Sequence, residues 1–288
     1  MQHLQNEYIE NYKTYLMQLG YSKSSVNMLP ACVKDFLETV GKSIKNITQS
    51  DIIKHYEHLQ TRPHKRKSTA LSESFISHNI YALKLFFNWL EQTEQIKYNP
   101  ISTLKFRRPK ANTRQPLSKE EITQLFENCN SSKEIAILHL FYSCGLRRTE
   151  AENLNTGDIH FTQNIVYVRA GKGTKRRAIP VTEKVKKELE NYFVNDRKKQ
   201  IAKDEEAVFL NINRTRMKGE HYNKILKKIL QRTEINKEIT LHHLRHSIAT
   251  HLLENGLSIE FVRDFLGHSS LEATQIYAKV KAHQLKKL

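Results

Sequence analysis

The sequence predicts a mainly α-helical protein with a small antiparallel β-sheet. Three observations predict it. Hydrophobic residues make up 39% of the 288 positions, with 12 Phe and 12 Tyr, which is enough to build a real core. Gly and Pro number only 9 and 6, so helix breakers are scarce. Apolar residues recur at helical spacing along most of the chain, and strand-like alternation with turn residues is confined to one stretch near 158–180.

The elements follow in order. His3 to Leu19 places Leu4, Tyr8, Tyr12, Tyr15 and Leu16 on one helical face, and Gly20 stops the run. Ser22 to Val40 reads as a second helix, with Pro30 as a kink or break. Thr48 and Asp51 open a third by a Thr-x-x-Asp box. Ser72 to Gln95 is the longest and carries Phe75, Tyr81, Phe86, Phe87 and Trp89. The basic segment TRPHKRKSTA (61–70) precedes it, either as a phosphate-contacting loop or as a solvated one.

The stretch RRPKANTRQP (107–116) is basic, polar and aperiodic with two prolines, so it reads as a linker. It separates a helical domain, 1–106, from a second domain, 117–288. The Ser118-x-x-Glu121 capping box starts the second domain. Two helices (118–129 and 132–144) lead into short strands at 158–161, 165–169 and 176–180. Helices resume at 182–199, 219–233, 242–255, 258–266 and 271–282.

Charge gives the first functional clue. Lys and Arg total 47 against 30 Asp and Glu, a net charge of +17. The first 106 residues carry 13 basic and 9 acidic side chains, and the remainder carries 34 and 21, so the second domain holds most of the positive field. Such a chain repels itself and attracts a polyanion, with nucleic acid as the leading partner. No apolar run is long enough to span a membrane, and the opening MQHLQNEYIENYKTYL lacks the apolar core and cleavage site of a secretory signal. Cys32, Cys129 and Cys144 form neither a disulfide framework nor a metal motif, so a reducing, cytoplasmic location is expected.

Five separated motifs are suited to phosphodiester chemistry, which needs a nucleophile, cations around the non-bridging oxygens and an acid for the leaving oxygen. Cys144-Gly145-Leu146-Arg147-Arg148-Thr149-Glu150 lies at a helix junction, where an arginine can be held as a phosphate fork with Glu150 orienting it. By spacing alone the simpler reading is a surface arginine pair at a helix start. Gly171-Lys172-Gly173 places a lysine at a hairpin tip, where neighbouring cations would lower its pKa. It lacks the spacing of a nucleotide-binding P-loop and is otherwise an ordinary basic turn. Leu241-His242-His243-Leu244-Arg245-His246 sets His242 and Arg245 three apart on one helix face. The histidine pairs ending at His246 have helical metal spacing, but no neighbouring Cys or carboxylate completes a tetrahedral set. Leu266-Gly267-His268-Ser269 ends one helix and starts the next, and Tyr277 follows nine residues later. In isolation His268 is a structural histidine and Tyr277 a core aromatic.

The order of these motifs resembles the tyrosine recombinases, the phage integrase-type family, and most closely its small Xer-like members. The likeness covers roughly 117–282, and the helical first domain resembles the family's core-DNA-binding domain. The resemblance implies a site-specific recombinase that cuts and rejoins double-stranded DNA through a 3′-phosphotyrosyl intermediate. It implies a homo- or hetero-tetramer acting on two sites through a Holliday junction, with accessory proteins as further partners, in chromosome partition or a mobile element. It assigns Tyr277 as nucleophile, Arg147 and Arg245 to the phosphate, Lys172 to the leaving oxygen, His242 to proton transfer and His268 to a phosphate hydrogen bond. It implies no metal and no other cofactor. The alternatives are DNA relaxation of the type IB topoisomerase kind and a catalytically silent DNA-binding regulator.

Overall fold

The computed structural model describes residues 2–63, 69–107, 115–169, 177–199 and 203–267. The chain divides into two compact units, Met1–Asn112 and Thr113–Leu288.

Among its described residues unit 1 contains four α-helices, α1 (Gln2–Gln18), α2 (Lys23–Val40), α3 (Gln49–Thr61) and α4 (Glu73–Gln92), with a 3₁₀ turn at Ile44–Asn46. Side-chain caps start them. Ser22 Oγ accepts the Ser25 amide and Ser72 Oγ accepts the Phe75 amide, each at 3.2 Å. At α3 the carboxylate arm of the expected box forms: Asp51 accepts from the Thr48 amide at 2.9 Å and from its hydroxyl at 2.8 Å. Pro30 does not break α2, which runs through it. The lost backbone donor costs a few kcal/mol, and buried Val26, Leu29, Val33, Phe36 and Leu37 hold the helix on both sides of it. The core is aromatic. Tyr12 meets Phe86 edge-on at 5.2 Å and Phe36 meets Phe87 at 6.1 Å, both across α-helix interfaces.

Unit 2 opens with α5 (Lys119–Glu127), where Ser118 and Glu121 form the full reciprocal box: Glu121 N to Ser118 Oγ at 3.2 Å and Ser118 N to Glu121 Oε2 at 2.8 Å. α6 (Ser132–Leu138) does not continue as α-helix to 144, because His139–Ser143 widens into a π-turn closed by Cys144 N on His139 O at 2.9 Å. A short α7 (Arg148–Asn153) follows, then a 3₁₀ turn at Thr156–Asp158.

Strands β1 (Ile159–His160), β2 (Ile165–Val168) and β3 (Arg177–Pro180) form an antiparallel sheet in the order β1-β2-β3. Val166 sits opposite Ile179, and Val168 opposite Arg177. α8 (Glu183–Tyr192) also ends in a π-turn, at Phe193–Arg197, and α9 (Gly219–Leu230), α10 (Leu241–Glu254) and α11 (Ile259–Leu266) complete the described elements. The predicted helix 271–282 lies outside the described residues.

The core of unit 2 joins sheet and helices through Val166, Ile179, Phe141, Leu189, Phe209 and Tyr222. Tyr192 stacks on Phe209 at 4.9 Å, and its hydroxyl donates to Val208 O at 2.9 Å, so the buried polar atom is satisfied. A satellite cluster of Ala249, Leu253, Val262 and Leu266 clasps α11 to α10. Among the described residues no helix is long and apolar enough to cross a membrane.

Candidate active site

The site is built where the end of the α6 π-turn, the start of α7, the root of β3, the first turns of α10 and the end of α11 converge. Gly145 turns the chain between the π-turn and α7 at φ 58°, a left-handed conformation. A Cβ there would lie 2.8 Å from Leu266 Cδ2, so a side chain is excluded on packing grounds as well. Leu146 is buried, and its amide bonds Leu140 O at 3.0 Å, which pins the loop. Arg147 is therefore fixed at the N-cap of α7.

Glu150 is the hub. Its Oε2 accepts the Arg147 amide at 2.7 Å, and its Oε1 accepts Arg147 Nη1 at 2.8 Å. Arg177 grips the same carboxylate with both ends of its fork, Nη1 to Oε1 at 2.8 Å and Nη2 to Oε2 at 2.9 Å. Arg245 Nη1 stands 3.8 Å from Oε2. Burial pushes the Glu150 carboxyl up, but Arg177 and then Arg147 outweigh it and hold the pKa at about 2. Among the described residues this cluster sets three guanidiniums around one carboxylate, so positive charge predominates.

The arginines are also tied to the backbone. Arg245 is 4% exposed and donates to Gly145 O and to Leu266 O, the latter at 2.6 Å. Arg147 Nη2 donates to Gly267 O at 2.8 Å, and Arg177 Nε donates to Phe265 O at 2.9 Å. All three thus anchor the last carbonyls of α11, where cations suit the negative end of the helix dipole. The Arg147 side chain is 29% exposed, against 5% for Arg245 and 8% for Arg177. Arg147 is therefore the most solvent-accessible of the three guanidiniums.

The two adjacent histidines of α10 have different surroundings. His243 is the third helical residue and its Nδ1 closes the cap, 3.1 Å from the Thr240 amide. His242 is exposed on the same first turn, three residues before Arg245. Arg148, the neighbour of Arg147, lies away from the cluster, with its Nε 3.6 Å from Glu152. Lys172, His268 and Tyr277 lie outside the described residues. Among the described residues no group of three His, Cys, Asp or Glu could hold a metal ion.

Arg177 was not singled out from the sequence, although it closes the Gly171–Arg177 basic run. The available signal is alternation: Arg177 is two residues before buried Ile179 in a strand, so the two share the inward face.

A cationic, preorganised arginine cluster of this kind suits a phosphodiester in transition, and comparison with known proteins agrees. The chain belongs to the phage integrase family, the tyrosine-type site-specific recombinases that break and rejoin DNA strands; the family pattern matches residues 115–284. It is 33% identical over 279 residues to a tyrosine recombinase of Pseudothermotoga lettingae, covering 94% of this chain and 93% of that one. It is 37% identical over 228 residues to tyrosine recombinase XerD of Oceanobacillus iheyensis, covering 76% of each. The fold is similar to that of the XerH site-specific recombinase bound to a palindromic difH substrate, with a TM-score of 0.73, 20% identity and coverage of 91% and 78%.

Proposed function

We propose that this recombinase cuts and rejoins double-stranded DNA at a specific site, with Tyr277 as its nucleophile. The Tyr277 oxygen attacks the scissile phosphorus, the phosphorus–O5′ bond breaks, and the protein holds the strand by a 3′-phosphotyrosyl link. Lys172 delivers a proton to the departing 5′ oxygen. Arg147 and Arg245 bind the non-bridging oxygens as their charge builds. His242 takes the tyrosine proton and returns it on resealing, and His268 hydrogen-bonds the phosphate. Attack by a 5′-hydroxyl on the phosphotyrosine reverses every step, so the bond energy is conserved in the link.

The observation that carries this reading is the convergence of Arg147 and Arg245 on Glu150 and on the carbonyls of Leu266 and Gly267, the two residues immediately before His268. The helical first domain, 1–106, contributes further duplex contacts, and 107–116 links it to the catalytic domain, 117–288. The working assembly is a homo- or hetero-tetramer on two sites, exchanging strands through a Holliday junction in the cytoplasm, with accessory proteins able to set direction.

Covalent trapping tests the proposal. Nicked duplexes from the gene's genomic neighbourhood are incubated with the protein in EDTA, denatured in SDS, and the attached DNA is sequenced. We expect an adduct at one sequence that Tyr277→Phe abolishes. An adduct that survives Tyr277→Phe would falsify the assignment. Tight binding with no adduct would favour a silent regulator, and relaxation of a plasmid lacking the trapped sequence would favour a topoisomerase.

A further inference from the structure

We infer that Arg177 is a positioning residue of the recombinase: it occupies one side of Glu150 so that Arg147 and Arg245 are held at the spacing a phosphate requires. The inference rests on the phosphodiester reading above and adds to it the first residue of β3, at the loop end of the β2–β3 hairpin.

The first argument is the accounting of acceptor sites. A carboxylate offers about four lone-pair positions. At Glu150 four hydrogen bonds fill them: two from Arg177, at 2.8 and 2.9 Å, and two from Arg147, at 2.8 and 2.7 Å. Arg245 is left at 3.8 Å, an ion pair rather than a fork. Without Arg177 half the acceptors of a buried carboxylate are vacated. Among the described residues the cations beside it that could fill them are Arg245 and Arg147 themselves. Both would be drawn onto Glu150, and the charge meant for a phosphate would be neutralised inside the protein.

The second argument is cost. Arg177 is on the core-facing side of β3, two residues from Ile179, with its side chain only 8% exposed. An apolar residue would cover that face without the desolvation penalty of a buried guanidinium. Burial of the charge is offset only by what Arg177 binds: Glu150, and Phe265 O at 2.9 Å. By contrast Arg169, which follows β2 at the same end of the hairpin, pairs with Asp158 from a 61% exposed side chain.

The third argument is the approach of the chain around it. Gly267 turns at φ 63°, and a Cβ there would stand 2.9 Å from Arg177 Nη1. The turn that presents Gly267 O to Arg147 is therefore packed directly on the Arg177 fork. Arg177 lies five residues after Lys172 and contacts the turn just before His268. It ties two segments that lead into proposed catalytic positions to the pair of arginines.

Among the described residues the charged groups facing Glu150 are Arg147 from the start of α7, Arg177 from β3 and Arg245 from α10. Cys144 stands near Arg177, but burial pushes its thiol up to about 12 and it stays neutral. Loss of Arg177 therefore removes the principal cation that keeps Glu150 ionised, and the carboxyl pKa rises.

The test uses the full chain and a nicked duplex bearing the sequence trapped by the wild-type protein. Single-turnover adduct formation is measured from acid to neutral pH at saturating protein, beside duplex affinity and thermal melting, for wild type, Arg177→Gln, Arg177→Lys, Glu150→Gln and the Arg177→Gln/Glu150→Gln double variant. We expect both Arg177 variants to slow adduct formation about 10- to 100-fold with duplex affinity nearly unchanged. The acidic limb of the rate profile should move upward in Arg177→Lys, and the double variant should be no slower than the slower single one. Lysine keeps the charge and the fold but supplies no fork, so the test survives if the glutamine variant melts too low. Wild-type rates, or losses that only follow the folded fraction with an unmoved acidic limb, would overturn the proposal. Absence of any Tyr277-dependent adduct from wild type would instead overturn the reading beneath it.

Discussion

Unit 1 and unit 2 bury different things. Unit 1 fills its interior with rings: Tyr12, Phe36, Phe86, Phe87 and Trp89. Its ion pairs are only partly buried, Arg62 with Asp35 at 2.9 Å and Lys42, half-exposed, with Asp51 at 2.7 Å. Unit 2 takes Arg245 and Arg197 almost wholly out of water, at 4% and 7% exposure, and packs Glu150 among arginines. Burying an ion is expensive, so it is informative where it persists. Packing accounts for unit 1. Unit 2 carries an electrostatic arrangement that packing alone would not select.

The largest expected effect is on the aromatic side of that contrast. Phe86→Ala removes a fully buried ring that touches Tyr12, Phe87 and Trp89, and should cost about 3–5 kcal/mol. Denaturant unfolding of the full chain measures it. A loss below 1 kcal/mol would mean the unit 1 core is far more plastic than its packing indicates.

Next comes a comparison of the two buried arginines. Arg197 serves only the backbone among the described residues, donating to the carbonyls of Ala207, Asp204 and Glu205. Arg197→Met should lower the melting temperature while the folded fraction forms adduct at the wild-type rate. Arg245→Ala should slow adduct formation about 10²- to 10³-fold, the loss typical of one oxyanion donor. Equal rates for the two variants would erase the distinction between a structural and a phosphate-facing arginine.

The smallest effect is a pH response. His55 in unit 1 is 2% exposed, with its ring edge-on to Phe36 at 5.0 Å. Burial, opposed by Asp35 and reinforced by Arg62 and His58, lowers its pKa to about 4. The unfolded chain then binds the extra proton first as pH falls. The contribution of neutral His55 is complete above the unfolded value of about 6.5 and is lost progressively down to about 4, up to ~3 kcal/mol. Melting curves across that window should flatten in His55→Phe, and an unaltered slope would remove His55 as the cause.

Much of the fold could be read from local pattern. Periodicity located the α1–α4 helices, the three strands and α8–α11 within a few residues. Caps at Ser22, Ser72, Ser118, Thr182 and Ser258 explain why, since each satisfies a helix-start amide by a side chain already in the local sequence. The π-turns at His139–Ser143 and Phe193–Arg197 were not legible. An extra residue in a helix turn is stabilised by distant partners, here Glu188 on His139 and the carbonyls of Ala207 and Glu205 on Arg197. Pro30 misled in the other direction, because a well-buried helix absorbs one missing hydrogen bond.

The same division holds at the candidate site. The Gly145–Glu150 motif and the His242–Arg245 spacing are local facts: the sequence puts an arginine at a helix junction three residues before Glu150 and sets Arg245 one turn after His242. Tertiary packing sets the rest: Arg245 is buried against Gly145, His243 closes the cap while His242 is exposed, and Arg177 reaches Glu150 from 27 residues away. The physical reason is range. Hydrogen-bonded turns and caps are set by residues within four positions of each other, whereas a shared carboxylate is set by where three separate elements are packed.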